Sequence, residues 1–155
     1  MSCGREPCKN KENRFYLNQS APCDCRKFFH ASKDSTVTDK PLAYIVEDDQ
    51  QLNHLFGLTL KADFDLIQVY DGSQALAHLE RRAPALIVLD MNLPGVSGAK
   101  VLEFVRADER FTRTRVILAT ADALQADALS DQADIVLLKP VSPTQLKDLA
   151  KRILP

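Results

Sequence analysis

At 155 residues and 45% hydrophobic content, the chain has room for one ordinary domain plus additional sequence, and enough apolar material to give it a core. Its formal net charge of −1 provides no global attraction to nucleic acid or to an anionic membrane, and no apolar stretch approaches the roughly 20 residues needed to span a bilayer. The average conceals a division: residues 1–40 hold eight Lys and Arg against five Asp and Glu, and residues 41–155 hold 12 against 16.

From Met1 to about Lys40 neither helical nor strand periodicity is sustained, and the largest apolar groups are Phe15-Tyr16 and Phe28-Phe29. Such a segment buries little, so residues 1–40 are expected to form a disordered or loosely ordered extension. All four cysteines, Cys3, Cys8, Cys23 and Cys25, lie there with His30 nearby. Thiolates and imidazole suit zinc, but intervals of four and then one residue do not make two zinc-binding pairs, which leaves free thiols as the expected state. The N-terminus has scattered charges and no apolar core of a signal peptide, which points to the cytoplasm, where thiols stay reduced.

From residue 41 onward the pattern alternates strand with helix. Leu42–Glu47 reads as the first strand, and Asp49 begins and caps a helix carrying Leu52, Leu55, Phe56 and Leu60. Asp65–Tyr70 reads as the second strand, followed by a helix capped by Ser73 and containing Leu76 and Leu79. Ala85–Asp90 is the third. Its consecutive aliphatic residues, Leu86 to Leu89, cannot lie on a half-solvated strand; they require cover on both faces, as in a parallel sheet. Gly98 leads into a helix with Val101, Leu102 and Val105, Arg115–Thr120 is the fourth strand, and Asp122 opens a short alanine-rich helix to about Ser130. Ile135–Lys139 is the fifth strand. Ser142-Pro143-Thr144-Gln145 then predicts a capping hydroxyl, a proline at the first helical position and a reciprocal glutamine. Five such units predict a doubly wound, five-stranded parallel sheet with helices on both faces.

In such a sheet the carboxyl ends of the strands meet at one rim, where ligands bind. The last residues of the strands supply Glu47, Asp48 and Asp49, then Asp90, Thr120 and Lys139-Pro140; the second strand supplies nothing reactive. Crowded carboxylates repel one another, and stay ionised most readily around a hard divalent cation such as Mg2+. A metal, an ammonium and a hydroxyl around a carboxylate make a site for phosphoryl transfer, with Asp90 as the nucleophile.

The motifs Ile45-Val46-Glu47-Asp48-Asp49, Val88-Leu89-Asp90-Met91-Asn92-Leu93-Pro94-Gly95-Val96-Ser97-Gly98, Ala119-Thr120-Ala121 and Leu138-Lys139-Pro140, in this order, resemble the CheY-like receiver domain of two-component response regulators over residues 42–154. The resemblance implies a flavodoxin-like fold for residues 41–155. It makes Asp90 the phosphoacceptor and Mg2+ the cofactor, held by Glu47, Asp48, Asp90 and the backbone carbonyl of Asn92. Thr120 becomes the switch hydroxyl, Lys139 the ion-pairing cation, Ala121 the residue that leaves space for the phosphodonor, and Pro140 a supporting residue. Asn92 and Asp122 fall at positions that govern acyl-phosphate hydrolysis in the family. Two positions depart from the pattern: Val136 stands where an aromatic residue is usual, and Gln132-Ala133-Asp134 replaces Gly-Ala-Asp.

The expected function is a stand-alone receiver, not an enzyme beyond its own phosphorylation and dephosphorylation. Its partners would be a histidine kinase or histidine phosphotransfer protein and an unidentified downstream protein, without direct DNA or membrane binding. The alternative is a receiver-shaped binding module that no longer uses phosphorylation. A phosphohydrolase of the aspartate-nucleophile type would carry a second Asp where Asn92 stands, and a flavin protein would not place Glu47-Asp48-Asp49 against a phosphate.

Overall fold

A computed structural model describes residues 40–154; the expectations for the first 39 residues, including the cysteines and His30, lie outside the described residues. The elements alternate as β1 (Leu42–Val46), α1 (Gln50–Leu60), β2 (Asp65–Val69), α2 (Gly72–Arg81), β3 (Leu86–Asp90), α3 (Gly98–Ala107), a short 3-10 turn (Glu109–Phe111), β4 (Arg115–Thr120), α4 (Ala123–Leu129), β5 (Ile135–Leu138) and α5 (Pro143–Ile153). All strand pairs are parallel, in the order β2-β1-β3-β4-β5. The chain therefore winds outward from β1 to β2, then crosses to the other side of β1, and the order reverses between β1 and β3.

Strand composition follows position in the sheet. Every residue of β1 and β3 is buried, as their unbroken aliphatic runs require. The edge strands β2 and β5 are only partly covered. One face of the sheet packs Tyr44, Val46, Ile87, Leu89 and Leu118 against Ala75 and Leu79 of α2 and Val101, Leu102 and Val105 of α3. The other packs Ala43, Ile45, Val88 and Ile117 against Phe56 and Leu60 of α1 and Leu146 and Ala150 of α5.

Capping side chains mark the starts of α1, α2 and α4, and two helix starts depart from expectation. Asp49 caps α1, accepting from the amides of Gln51 and Leu52 at 2.8 and 2.9 Å, and Asp122 likewise caps α4. For α2 the cap is Asp71, whose carboxylate accepts from the Gln74 amide at 2.8 Å, and Ser73 is already inside the helix. The Asp-Gly-Ser sequence offers two capping residues, and the helix begins at the earlier one. Ser142 does occupy the cap position of α5, but its side chain makes no capping hydrogen bond; Pro143 brings no amide to that turn and fixes its own φ near the helical value.

The Gln132-Ala133-Asp134 segment forms a polar junction. Asp134 accepts from the Val116 amide and from Arg115, both at 2.8 Å, and from Arg106 at 3.1 Å. Arg106 also donates to the Gln132 carbonyl, so α3, β4 and the approach to β5 share one polar junction. Burial there works against the Asp134 charge, yet these donors outweigh it and lower its pKa.

Candidate functional site

Register alone delivers the rim side chains to one place. Val46 lies opposite Leu89 in the β1–β3 pair, so the next residues, Glu47 and Asp90, emerge side by side at the carboxyl rim. Asp90 lies opposite Ala119, and Thr120 opposite Leu138, which brings Lys139 to the same rim; its amide donates to the Thr120 carbonyl at 2.8 Å. The site thus sits where the strand order reverses, as the topology of open α/β sheets dictates.

The Lys139 ammonium reaches across β4 and donates to Asp90 Oδ2 at 2.7 Å and to both Glu47 oxygens at 2.9 Å. An ammonium has three protons, and all three have partners. Glu47 and Asp90 are each only 2% exposed. The other Asp90 oxygen, Oδ1, accepts from the Asn92 amide at 3.0 Å. Burial pushes Glu47 up to about 7, with the Asp90 charge adding to it and the hydrogen bonds from Lys139 opposing it. At Lys139 burial favours loss of the proton, but the hydrogen bonds to Asp90 and Glu47 outweigh it and raise the pKa.

A third carboxylate joins them: Glu47, exposed Asp48 and Asp90 place one oxygen each within 4.8 Å of one another. Glu47 and Asp90 share the Lys139 ammonium and Asp48 adds a third carboxylate beside them, so the centre has an excess of negative charge and hard oxygen donors facing it. That donor set fits a divalent cation of the Mg2+ type. Asp49, turned into the cap of α1, is not among them.

The backbone around Asp90 is held closely. A Cβ on Gly98 would lie 2.2 Å from the Asp90 carbonyl oxygen, so only glycine lets the first residue of α3 approach the end of β3. Gly95, at φ 70°, turns the intervening loop with a backbone conformation glycine adopts readily. Lys139-Pro140 is a cis peptide, and exposed Ala121 follows Thr120 directly.

Two contributors were not anticipated from the sequence. Asn53, fully buried on α1, donates to the carbonyls of Glu47 and Val69, each at 2.9 Å, and its own oxygens accept from Gln68. It thereby anchors the backbone of a carboxylate at the site. The available signal was its spacing: Asn53, Phe56 and Leu60 fall on one helical face, so a polar residue there must be buried with partners. The other is Gln125 of α4, whose Oε1 accepts the Thr120 hydroxyl at 2.8 Å. Thr120 stands at the expected rim, but its hydroxyl is turned to α4. Val136 is half-buried against the α2–α3 side of the core.

A parallel five-stranded sheet whose rim joins paired acids, a buried aspartate and a lysine is the arrangement of a receiver-type signalling domain. The chain belongs to the response regulator receiver domain family, whose model matches residues 43–151. It is 33% identical over 106 residues to the DNA-binding response regulator MtrA of Mycolicibacterium smegmatis, covering 66% of this chain and 45% of that protein. It is 28% identical over 123 residues to hybrid signal transduction histidine kinase D of Dictyostelium discoideum, covering 77% of this chain and 8% of that one. The chain thus spans less than half of either relative. Among solved structures it resembles the receiver domain of a Pseudomonas aeruginosa sensor histidine kinase that has a magnesium ion coordinated in its active-site cleft: TM-score 0.66, 28% identity, 73% of this chain and 96% of that one.

Proposed function

We propose that this receiver accepts a phosphoryl group on Asp90 from a phosphohistidine of a histidine kinase or phosphotransfer protein, and that it signals in the cytoplasm through protein–protein contacts. The observation that supports this most is the Lys139 ammonium, 2.7 Å from Asp90 and 2.9 Å from Glu47. A purely structural lysine needs one counter-charge; this one donates to two carboxylates at the sheet's carboxyl rim, with Asp48 beside them.

In the reaction an Asp90 carboxylate oxygen attacks phosphorus in line. The new O–P bond forms as the P–N bond breaks, and the electron pair leaves with the imidazole, which takes up a proton. The Asn92 amide orients Asp90 through Oδ1, and Lys139 is placed to balance charge on the incoming phosphoryl oxygens. Glu47, Asp48, Asp90 and the Asn92 carbonyl would hold Mg2+, which supplies the remaining charge neutralisation when bound. The Thr120 hydroxyl would donate to a phosphoryl oxygen, and small Ala121 would leave the donor a path.

Incubation with Mg2+ and acetyl phosphate should add the mass of one phosphoryl group to the wild type and nothing to Asp90→Asn. Equal gain by both proteins, or none by the wild type, refutes the proposal and leaves the receiver-shaped binding module in its place.

A further inference from the structure

The Thr120 hydroxyl has a single proton, and that proton already has an acceptor. Its Oγ1 donates to Gln125 Oε1 at 2.8 Å while accepting from the Asp122 amide at 3.1 Å. A hydroxyl can accept twice but donate once, so a phosphoryl oxygen on Asp90 and the Gln125 carbonyl oxygen are mutually exclusive partners for it. Gln125 lies on α4, a helix of seven residues, none of them fully buried. Besides the Asp122 cap and this hydrogen bond, α4 is held by Leu129, partly buried against the sheet. Its Leu124 is 81% exposed.

We infer that Gln125 is a positioning residue that holds the Thr120 hydroxyl away from Asp90, and that a phosphoryl group on Asp90 takes the proton and so releases α4. The inference rests on the function proposed above and adds how that site is read out. Val136 leaves β5 without a bulky side chain to follow Thr120, whereas Gln125 is bonded to it directly. Coupling of this kind is reciprocal. Anything that deprives Gln125 of its acceptor must favour the phosphoryl-bound state, and a stronger acceptor must disfavour it.

The test uses the full chain with Mg2+ and beryllofluoride, a phosphoryl stand-in, titrated by amide NMR. Gln125→Met keeps the length of the side chain and removes the acceptor; Gln125→Glu offers a charged, stronger one. Gln125→Met should bind beryllofluoride about fivefold more tightly than wild type, the equilibrium equivalent of one neutral hydrogen bond, and Gln125→Glu should bind it more weakly. Both effects should vanish in a Thr120→Val background, which a general electrostatic or structural role of position 125 would not produce. Without beryllofluoride, amide exchange in α4 should speed up in Gln125→Met and in Thr120→Val by similar factors of about five. Unchanged affinity in Gln125→Met, effects that persist with Val at position 120, or unchanged α4 exchange would overturn the inference alone. A wild type that takes up no beryllofluoride would overturn the proposed function and this inference together.

Discussion

Lys139, Asp90 and Glu47 show how few atoms decide this site. Each proton of one ammonium is committed to a buried carboxylate oxygen, and the residues behind those carboxylates are equally constrained. Asn53 is the clearest case. Asn53→Ala would leave the Glu47 carbonyl without its side-chain donor and take from the Gln68 amide its side-chain acceptor, leaving it only the backbone carbonyl of residue 53, at about 2–3 kcal/mol of unfolding free energy. Urea denaturation should show the midpoint falling with an unchanged slope; a loss below about 0.5 kcal/mol, the range of neutral surface changes, would mean that Asn53 is not the anchor described. The meeting of Glu47, Asp90 and Lys139 at one rim was legible in the sequence, because each ends an apolar strand run where only a rim position is available. Asn53 and Gln125 were not: both are amides inside helices, and their roles depend on which carbonyl or hydroxyl the fold brings to them.

At the scale of elements, the junction of α3, β4 and β5 rests on Asp134. Its folded pKa is lowered, so it binds its proton less readily in the folded chain than in the unfolded one. Its contribution is fully present above the unfolded value, about 3.9, and is lost as pH falls through the lower folded value. The carboxylate is partly exposed, at 18%, and solvent screening reduces what the ion pairs add. Asp134→Asn is therefore expected to lose about 1–2 kcal/mol near neutrality, mainly from charge-assisted hydrogen bonds to the Val116 amide and two arginines. The gap from wild type should close in acid; urea midpoints at neutral and acidic pH check this, and a gap that stays constant or widens in acid contradicts it. Strand positions were readable from apolar runs, and α1 and α4 from their capping aspartates. The cap of α2 was misplaced because Asp71 and Ser73 are both competent caps. Ser142 was placed correctly but given a bond it does not make, since capping preference speaks to position and not to rotamer.

Across the whole molecule, alternating strands and helices specified a parallel sheet, but several strand orders satisfy the same alternation. Which strands are neighbours depends on how the two apolar faces divide among α1, α5, α2 and α3, information spread over many side chains. The observed order places β1 and β3 together at the reversal, and the register then needs no further adjustment to join Glu47 to Asp90. The central claim is that this junction makes Asp90 the acceptor. Its most direct measurement is to phosphorylate the full chain with acetyl phosphate and Mg2+, trap any acyl phosphate by borohydride reduction, and locate the modified residue by peptide mass spectrometry. The account predicts homoserine at position 90, dependent on Mg2+. Reduction product at Asp48 or Glu47 in place of Asp90, or none anywhere, would contradict it.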